Sequence, residues 1–132
     1  MIFEPFDVVV VPFPFTDRPA SRRRPAPVLS TRDFNASHDQ TILAMIMSAA
    51  VPPWPSDVPL QGWQDAGLAV PCTVRMKLFT LDTALIVRPV GTLSAQDSSS
   101  VWTAIRKTRT ACPPSRPVRH AIPDEDRFTT RI

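Results

Sequence analysis

Short apolar segments separated by polar and proline-rich stretches divide the chain, a pattern typical of β-strands. The first segment follows Asp7 and is β-branched up to Val11, which favours a buried strand. The other predicted strands are 28–32, 41–48, 68–76 and 84–90. Segment 41–48 is the most apolar. Its Leu, Ala and Met residues also suit a helix, but eight residues between turn signals fit a central strand better.

Polar residues and prolines predict the connections. Pro12 and Pro14 have no N–H to donate and are expected to end the first strand, so that residues 16–24 form a polar loop. The other predicted connections are a turn at 33–40, an extended segment at 51–60 with a short edge strand near Val58, and a link at 81–83.

Two tryptophans and two helical features are predicted in the second half of the chain. Trp54 and Trp63 are expected to cover the core beneath the proline-rich segment. Residues 61–66 are expected to form one helical turn that Gly67 closes. A longer helix is predicted from Ser94, with Asp97 three residues later as in a capping box, to about residue 109.

The composition fits one small domain that is mainly β. The chain has 132 residues, of which 43% are hydrophobic and 20% charged, as in globular proteins. Sixteen prolines against three glycines disfavour long helices and shorten strands. We expect residues 1–111 to form the domain. Residues 112–132 are rich in proline and arginine and poor in apolar residues, which predicts a flexible tail.

Cysteine content and hydropathy exclude several classes of protein. Two cysteines are too few for a disulfide framework, and with two histidines they show no zinc-finger spacing, so no metal or cofactor is expected. No apolar run approaches the ~20 residues of a membrane span. The first residues are acidic where a signal peptide is basic. The sequence therefore predicts a cytoplasmic protein with no membrane contact.

Arginine dominates the basic residues. Only Lys77 and Lys107 of the 15 basic residues are lysines, and the isoelectric point is near 9.5. Guanidinium groups bind phosphate through two parallel hydrogen bonds, which favours nucleic acid or an acidic protein as the partner. A solvated basic surface would give the same composition.

The strongest candidate site is the run Arg22, Arg23 and Arg24, directly before Pro25. Pro25 fixes the backbone behind Arg24. We therefore expect the Arg24 guanidinium to leave a rigid point at a strand entrance, where it could neutralise a phosphate. An exposed arginine run with no function is the alternative interpretation.

Further candidates are weaker. Ser48 ends the central strand, where a serine is usually structural, and Arg75 with Lys77 forms a second cationic pair. The candidate base-stacking residues are Phe13, Phe15 and Phe79, although such aromatics more often belong to a core. No Ser-His-Asp order, phosphate-binding glycine loop or metal cluster is present in the sequence. These residues alone indicate a small β protein that binds phosphate.

Several ordered motifs resemble the MazF/PemK family of toxins from toxin–antitoxin pairs. They are Asp7-Val-Val-Val-Val-Pro-Phe-Pro-Phe-Thr-Asp17, Arg23-Arg24-Pro25-Ala26, Trp54-Pro-Ser-Asp-Val58, Trp63-Gln-Asp-Ala-Gly-Leu68, Val74-Arg75, Lys77-Leu-Phe-Thr-Leu-Asp82 and Gly91-Thr-Leu-Ser94. The chain departs from the family at Phe6, where glycine is usual, in the glycine-free 16–24 loop, and at Lys77, where the Kid branch has an acid.

The resemblance implies an SH3-like small barrel with short helices that forms a homodimer and binds a cognate antitoxin. It also implies a metal-independent endoribonuclease for single-stranded RNA. By position, Arg24 matches the catalytic arginine of the family's Arg-Pro motif, Ser48 its catalytic Thr or Ser, and Arg75 the active-site arginine of the Kid branch. The residues then expected to hold RNA are Phe15, Thr16, Arg22, Arg23 and Lys77.

The implied reaction is attack of a ribose 2′-OH on the adjacent phosphorus, which leaves a 2′,3′-cyclic phosphate and a free 5′-OH. The base that removes the 2′-OH proton stays open, because free arginine keeps its own proton up to pH ~12. Two other functions fit the same barrel. One is a non-catalytic binding module or a protein poison resembling CcdB, which acts on gyrase. The other is an inactive toxin kept as an antitoxin-binding or regulatory partner.

Overall fold

Six strands in two three-stranded antiparallel sheets form the framework of the part that the computed structural model describes, residues 2–13 and 22–109. The strands are β1 (Asp7–Phe13), β2 (Arg22–Pro27), β3 (Gln40–Ser48), β4 (Val58–Pro59), β5 (Cys72–Asp82) and β6 (Arg88–Thr92). The helices are α1 (Arg32–His38) and α2 (Ala95–Thr108), with a 3-10 turn at Thr83–Leu85. The strand orders are β2-β1-β6 and β3-β5-β4. The predicted class, mostly β with a C-terminal helix, is confirmed. The predicted tail lies outside the described residues.

β1 and β2 pair along their whole length although β2 contains two prolines. The N–H of Val28 donates to the carbonyl oxygen of Asp7 (2.8 Å). Because N–H groups alternate in direction along a strand, Pro25 and Pro27 turn their ring nitrogens away from β1, and no hydrogen bond of this ladder is lost.

Pro12 does not end β1, and the predicted loop is shorter than expected. Pro12 lies opposite Arg23, and its nitrogen points to the side of β6, which pairs only with the first part of β1, up to Val10. Its missing N–H therefore breaks no ladder. The prediction of a loop at 16–24 is wrong for residues 22–24, which lie in β2. Residues 14–21 are outside the described ranges.

The prolines of β2 also keep the two sheets apart. β2 packs beside β3, and Val28 forms a bridge with Leu43 where the two strands meet. Beyond that point Pro25 and Pro27 face β3 without an N–H, so no regular ladder forms. The SH3-like small barrel is therefore left unclosed between β2 and β3, next to the end of β3 at Ser48.

The valines of β1 face two separate cores. Val8 belongs to a first core with Ala44, Ile46, Val74 and Val101, among others. Its neighbour Val9 belongs to a second core, whose buried members also include Val11, Val28, Leu43 and Leu81. An unbroken apolar run at 8–11 is required because successive side chains of a strand point to opposite faces and both faces are covered here.

β5 is longer than predicted and bends at a bulge. It runs for 11 residues and pairs with β3, with a register shift opposite the segment between Leu43 and Met45. Its first part contributes to the first core and its last part to the second. The predicted strands at 68–76 and 84–90 and the link at 81–83 therefore had wrong bounds, because the change of core at the bulge breaks the apolar alternation.

The turn predicted at 33–40 is wrong, because Arg32–His38 form α1 and Gln40 already belongs to β3. The Thr31 side-chain oxygen accepts a hydrogen bond from the N–H of Phe34 (3.2 Å), and Asp39 ends the helix in the left-handed conformation (φ 55°). The Asn35 side chain is buried, donates to the carbonyl of Phe3 (2.9 Å) and accepts from Ser30. The polar residues in this segment are thus caps and a buried network.

The last helix begins where it was predicted. The Ser94 hydroxyl oxygen accepts from the N–H of Asp97 (3.1 Å). The buried Asp97 carboxylate does not complete a capping box. It accepts instead from the N–H groups of Gln61 (2.9 Å) and Gly62 (2.8 Å), so it fastens the helix to the preceding turn.

The turn at 61–66 and its closing glycine are confirmed, whereas one tryptophan prediction is wrong. Gly67 has φ 86°, and the N–H of Leu68 donates to the carbonyl of Trp63 (3.0 Å). Trp63 packs against the first core as expected. Trp54 does not cover the core, because 41% of its surface is exposed.

Candidate active site

One open cleft, of about 370 Å³, lies beside the split between β2 and β3. Two of the three residues predicted to be catalytic, Arg24 and Ser48, line it together. Its apolar walls include Val10, Pro25, Ile46 and Leu68. The structure therefore brings the Arg-Pro motif and the end of the central strand to the same place.

Arg24 is held at the cleft by its strand. It pairs with Val11, and Pro25 fixes the following backbone. Its guanidinium carbon lies 5.1 Å from the centre of the Phe13 ring, a cation–π contact. Its Nε is buried and makes no hydrogen bond within the described ranges. A buried guanidinium N–H without a partner is a donor that a phosphate oxygen could satisfy.

Ser48 presents a hydroxyl at the end of β3. It is exposed, lies opposite Cys72, and its Oγ accepts a hydrogen bond from the N–H of Ala50 (3.2 Å). That contact uses a lone pair of the oxygen and orients it. The hydroxyl proton is left to donate to an acceptor in the cleft.

Arg88 is a cation of the same cleft that sequence reasoning did not identify. It is exposed, begins β6 and lies directly opposite Val10, which in turn lies opposite Pro25. Residues directly opposite each other in neighbouring strands share one face of a sheet. The only signal in the sequence was an arginine in an otherwise apolar segment.

Cys72 also lines the cleft, but its thiol is protonated. It is buried, and burial raises the pKa of the thiol above its ordinary value. Its Sγ donates to the carbonyl of Val70 (3.1 Å). Because the thiolate is the nucleophilic form, this cysteine is suited to packing and not to attack on a substrate at neutral pH.

Arg75 is not in this cleft. Ser48 lies opposite Cys72 and Met45 opposite Arg75, so alternation along β5 places Arg75 on the face of the sheet away from Ser48. There Arg75 donates to both carboxylate oxygens of Asp57, from Nε to Oδ1 (3.1 Å) and from Nη2 to Oδ2 (3.0 Å). The pair is buried, with side-chain exposures of 8% and 5%.

The remaining predicted residues divide into three groups. Arg22 and Arg23 are exposed in β2, and Lys77 is exposed in β5, two residues after Arg75. Phe79 is half-buried against the second core, which matches a core residue more than a stacking surface. Phe15 and Thr16 lie outside the described residues.

Within 2–13 and 22–109 no group of three or more His, Cys, Asp or Glu side chains is placed to hold a metal ion. In the same part of the chain, no helix has the length and apolar character needed to cross a membrane.

Comparison with known proteins gives one family and one fold. The family model of PemK-like, MazF-like toxins of type II toxin–antitoxin systems matches residues 4–108. No curated protein matches the chain in sequence. MazF from Deinococcus radiodurans (Form-I) is 21% identical, with a TM-score of 0.63 over 81% of this chain and 96% of its own. MazE-MazF from the same organism (Form-III) is 17% identical, with a TM-score of 0.65 over 81% and 95%.

A third structure, an endoribonuclease in complex with its cognate antitoxin from Mycobacterial species, is 13% identical, with a TM-score of 0.62 over 80% and 91% of the two chains. At these identities the solved structures establish the fold, and the family model establishes the relationship. The chain belongs to the family of PemK-like, MazF-like toxins of type II toxin–antitoxin systems.

Proposed function

We propose that this chain is the toxin of a toxin–antitoxin pair and acts as an endoribonuclease on single-stranded RNA, without a metal ion. The observation that supports this most strongly is the shared cleft of Arg24 and Ser48, two residues that the family motif predicts to act together. Arg88 adds a second guanidinium to the same cleft. A polyanion fits such a site, because both arginines can donate to phosphate oxygens.

In the proposed reaction, the ribose 2′-oxygen attacks the adjacent phosphorus. Its proton leaves, a bond from the 2′-oxygen to phosphorus forms, and the bond from phosphorus to the 5′-oxygen of the next nucleotide breaks. That 5′-oxygen takes up a proton, so the products are a 2′,3′-cyclic phosphate and a free 5′-OH. The group that accepts the 2′-OH proton is not assigned.

The chain's own residues would stabilise charge in this reaction. Arg24 would donate to the non-bridging oxygens as negative charge builds on the phosphorane-like state, and Ser48 would add a hydroxyl donor. Groups that are already oriented before the reaction stabilise such a state without reorganisation. Arg88 would bind a phosphate of the substrate strand.

The same proposal includes the partners and the location. We propose a homodimer that is neutralised by a cognate antitoxin and works in the cytoplasm, with no metal or other cofactor. The fold neighbours named MazE-MazF and the endoribonuclease with its cognate antitoxin support the antitoxin part of the proposal.

The test is cleavage of single-stranded RNAs of diverse sequence by the purified chain in the presence of EDTA. We expect discrete products, whose 5′-OH ends are then ligated and sequenced to give the cleavage site. An Arg24→Ala preparation made in parallel controls for contaminating ribonucleases and is expected to leave the RNA intact. RNA that stays whole with the wild-type chain would contradict the proposal. Growth arrest in cells with unaltered RNA would instead favour a toxin that acts on a protein.

A further inference from the structure

Trp54 exposes a large indole surface although its position is fixed. Its exposed fraction is 41%, in contrast to Trp63, which packs against the first core. The backbone N–H of Trp54 donates to Asp57 Oδ2 (2.9 Å), and the backbone carbonyl of Trp54 accepts from the backbone N–H of Asp57 (3.0 Å). The indole ring lies 4.5 Å from the guanidinium carbon of Arg75.

The group beneath the indole is itself rigid. Arg75 makes two hydrogen bonds to Asp57 and a third, from Nη2, to the carbonyl of Pro52 (2.8 Å). Both charged side chains are buried. Pro53 and Pro55, on either side of Trp54, restrict the backbone further. The ring is therefore held in place before any partner binds.

A fixed, exposed aromatic ring beside a cation is the arrangement that binds an unpaired nucleobase. Every base has a flat π-face, and a phosphate follows each base along the strand. The cation beside this ring is the Arg75 guanidinium, 4.5 Å from the ring centre. The segment that includes Trp54 begins directly after Ser48, so it connects this surface to the cleft along the chain.

We propose that Trp54 is a stacking platform for one base of the RNA strand, outside the cleft of Arg24, Ser48 and Arg88. The inference rests on the proposed function, since it assigns a second contact to the same substrate. A protein partner is the competing occupant. Such a partner would use the exposed indole as an apolar contact and would not require an unpaired base.

The test uses the full chain and a fluorescein-labelled single-stranded RNA of mixed sequence with 2′-O-methyl groups, which binds but cannot be cut. Binding is measured by anisotropy over a series of salt concentrations. We expect Trp54→Leu to weaken binding about ten-fold and Trp54→Phe less than about three-fold, because phenylalanine still stacks. Trp102→Leu is the matched control, since Trp102 is an exposed tryptophan on α2 (52%), and it should bind as the wild type does.

Two further readouts separate stacking from charge. A plot of the logarithm of the RNA association constant against the logarithm of the salt concentration should have the same slope for Trp54→Leu and the wild type, because stacking releases no counterions from the RNA. Binding of inorganic polyphosphate, which has charge but no bases, should also be unchanged in Trp54→Leu. A lower salt slope or a lost affinity for polyphosphate would overturn the stacking role.

The outcomes distinguish this inference from the function on which it rests. If the wild-type chain neither binds nor cuts RNA, both the stacking role of Trp54 and the proposed endoribonuclease function are excluded. A wild-type chain that cuts RNA, with Trp54→Leu binding it equally well, removes only the stacking role. Loss of a protein partner by Trp54→Leu with unchanged RNA binding would identify a protein contact and overturn the inference. Should Trp54→Leu fail to fold by urea titration, Trp54→Tyr replaces it and must then bind RNA more tightly than Trp54→His.

Discussion

Arg75 and Asp57 form a two-pronged ion pair on the face of the β3–β5 sheet opposite to Ser48. The Arg75 guanidinium donates to both carboxylate oxygens of Asp57 and to the carbonyl of Pro52. Arg75 therefore holds the segment that carries Trp54, the residue proposed to stack on a base. Arg75 does not line the cleft of Arg24 and Ser48, and its predicted catalytic role stays a prediction.

This pair predicts a loss of stability in acid. Hydrogen bonds from Arg75 are the main reason why the pKa of Asp57 is lowered, and the N–H of Trp54 adds to the effect. A carboxyl whose pKa is lower in the folded state stabilises the protein above its unfolded pKa of about 3.9, and that contribution disappears as the pH falls through the folded value. Asp57→Asn should thus be less stable than the wild type at neutral pH, with a difference that shrinks below about pH 4.

The measurement is the free energy of unfolding in urea for the wild type and Asp57→Asn at several pH values between neutral and acidic. Comparing the two chains removes the contribution of the other carboxyl groups. A difference in stability that stays constant with pH would contradict this prediction.

Replacing Arg24 by alanine is expected to reduce kcat for RNA cleavage by about 10²–10³, because a donor to the developing charge is lost. The control is Arg32→Ala. Arg32, the first residue of α1, forms an exposed ion pair with Glu4 (3.0 Å) and should be dispensable for cleavage. Initial rates on a cleavable RNA give both values. Equal rates for Arg24→Ala and the control would exclude the assigned role of Arg24.

Ser48 gives a test of the hydroxyl itself. Ser48→Thr keeps the hydroxyl and should keep most of the activity, whereas Ser48→Ala removes the donor and should lower kcat by about ten-fold or more. Neither change is expected to unfold the chain, since Ser48 is exposed at a strand end. Single-turnover rates at saturating enzyme measure the effect on chemistry. If alanine and threonine behave alike, the hydroxyl is not used.

Much of the fold follows from local patterns in the sequence. The apolar run 8–11, the segment 41–48 and the start of α2 at Ser94 each depend on neighbouring residues, and each was predicted, although the capping box with Asp97 was not found. α1 was missed because Asn35 resembled a turn residue, whereas its partners Phe3 and Ser30 are brought to it by the fold. The bulge in β5 was missed because it depends on pairing with β3.

The candidate site was predicted in part, for a similar reason. Arg24 and Ser48 were identified by resemblance, and the cleft joins them. Arg88 could not be found, because its place in the cleft depends on the register of β6 against Val10, far away in the sequence. Likewise, nothing local in the sequence pairs Arg75 with Asp57, so Arg75 resembled a free cation.

Arg88 predicts a change in the salt dependence of RNA binding. A phosphate contact releases counterions, so Arg88→Ala should lower the slope of log K against log salt by about 0.7 for a single strand. We expect KM to rise and kcat to change little, since Arg88 is assigned to binding and not to the reacting phosphate. Arg32→Ala again serves as the control with an unchanged slope. An unaltered slope for Arg88→Ala would mean that Arg88 contacts no phosphate.

Phe6 stands where the family usually has glycine. The backbone conformation at this position explains why glycine is usual there. Phe6 adopts φ 69°, fixed by hydrogen bonds from its N–H to the carbonyl of Val28 (2.6 Å) and from the N–H of Leu93 to its own carbonyl (3.0 Å). The left-handed conformation costs a residue with a Cβ roughly 1–2 kcal/mol of conformational free energy, whereas glycine has no such cost. The Phe6 side chain compensates by packing against the first core.

Two substitutions separate the strain from the packing. Phe6→Ala loses the packing and keeps the strain, whereas Phe6→Gly loses both. Although glycine makes the unfolded chain more flexible, we expect Phe6→Gly to be more stable than Phe6→Ala by about 0.5–1 kcal/mol, the reverse of the usual order for these residues. Urea unfolding of the two variants measures the difference. If Phe6→Ala is the more stable, the hydrogen bonds to Val28 and Leu93 do not hold residue 6 in the left-handed region, and its backbone is free to relax.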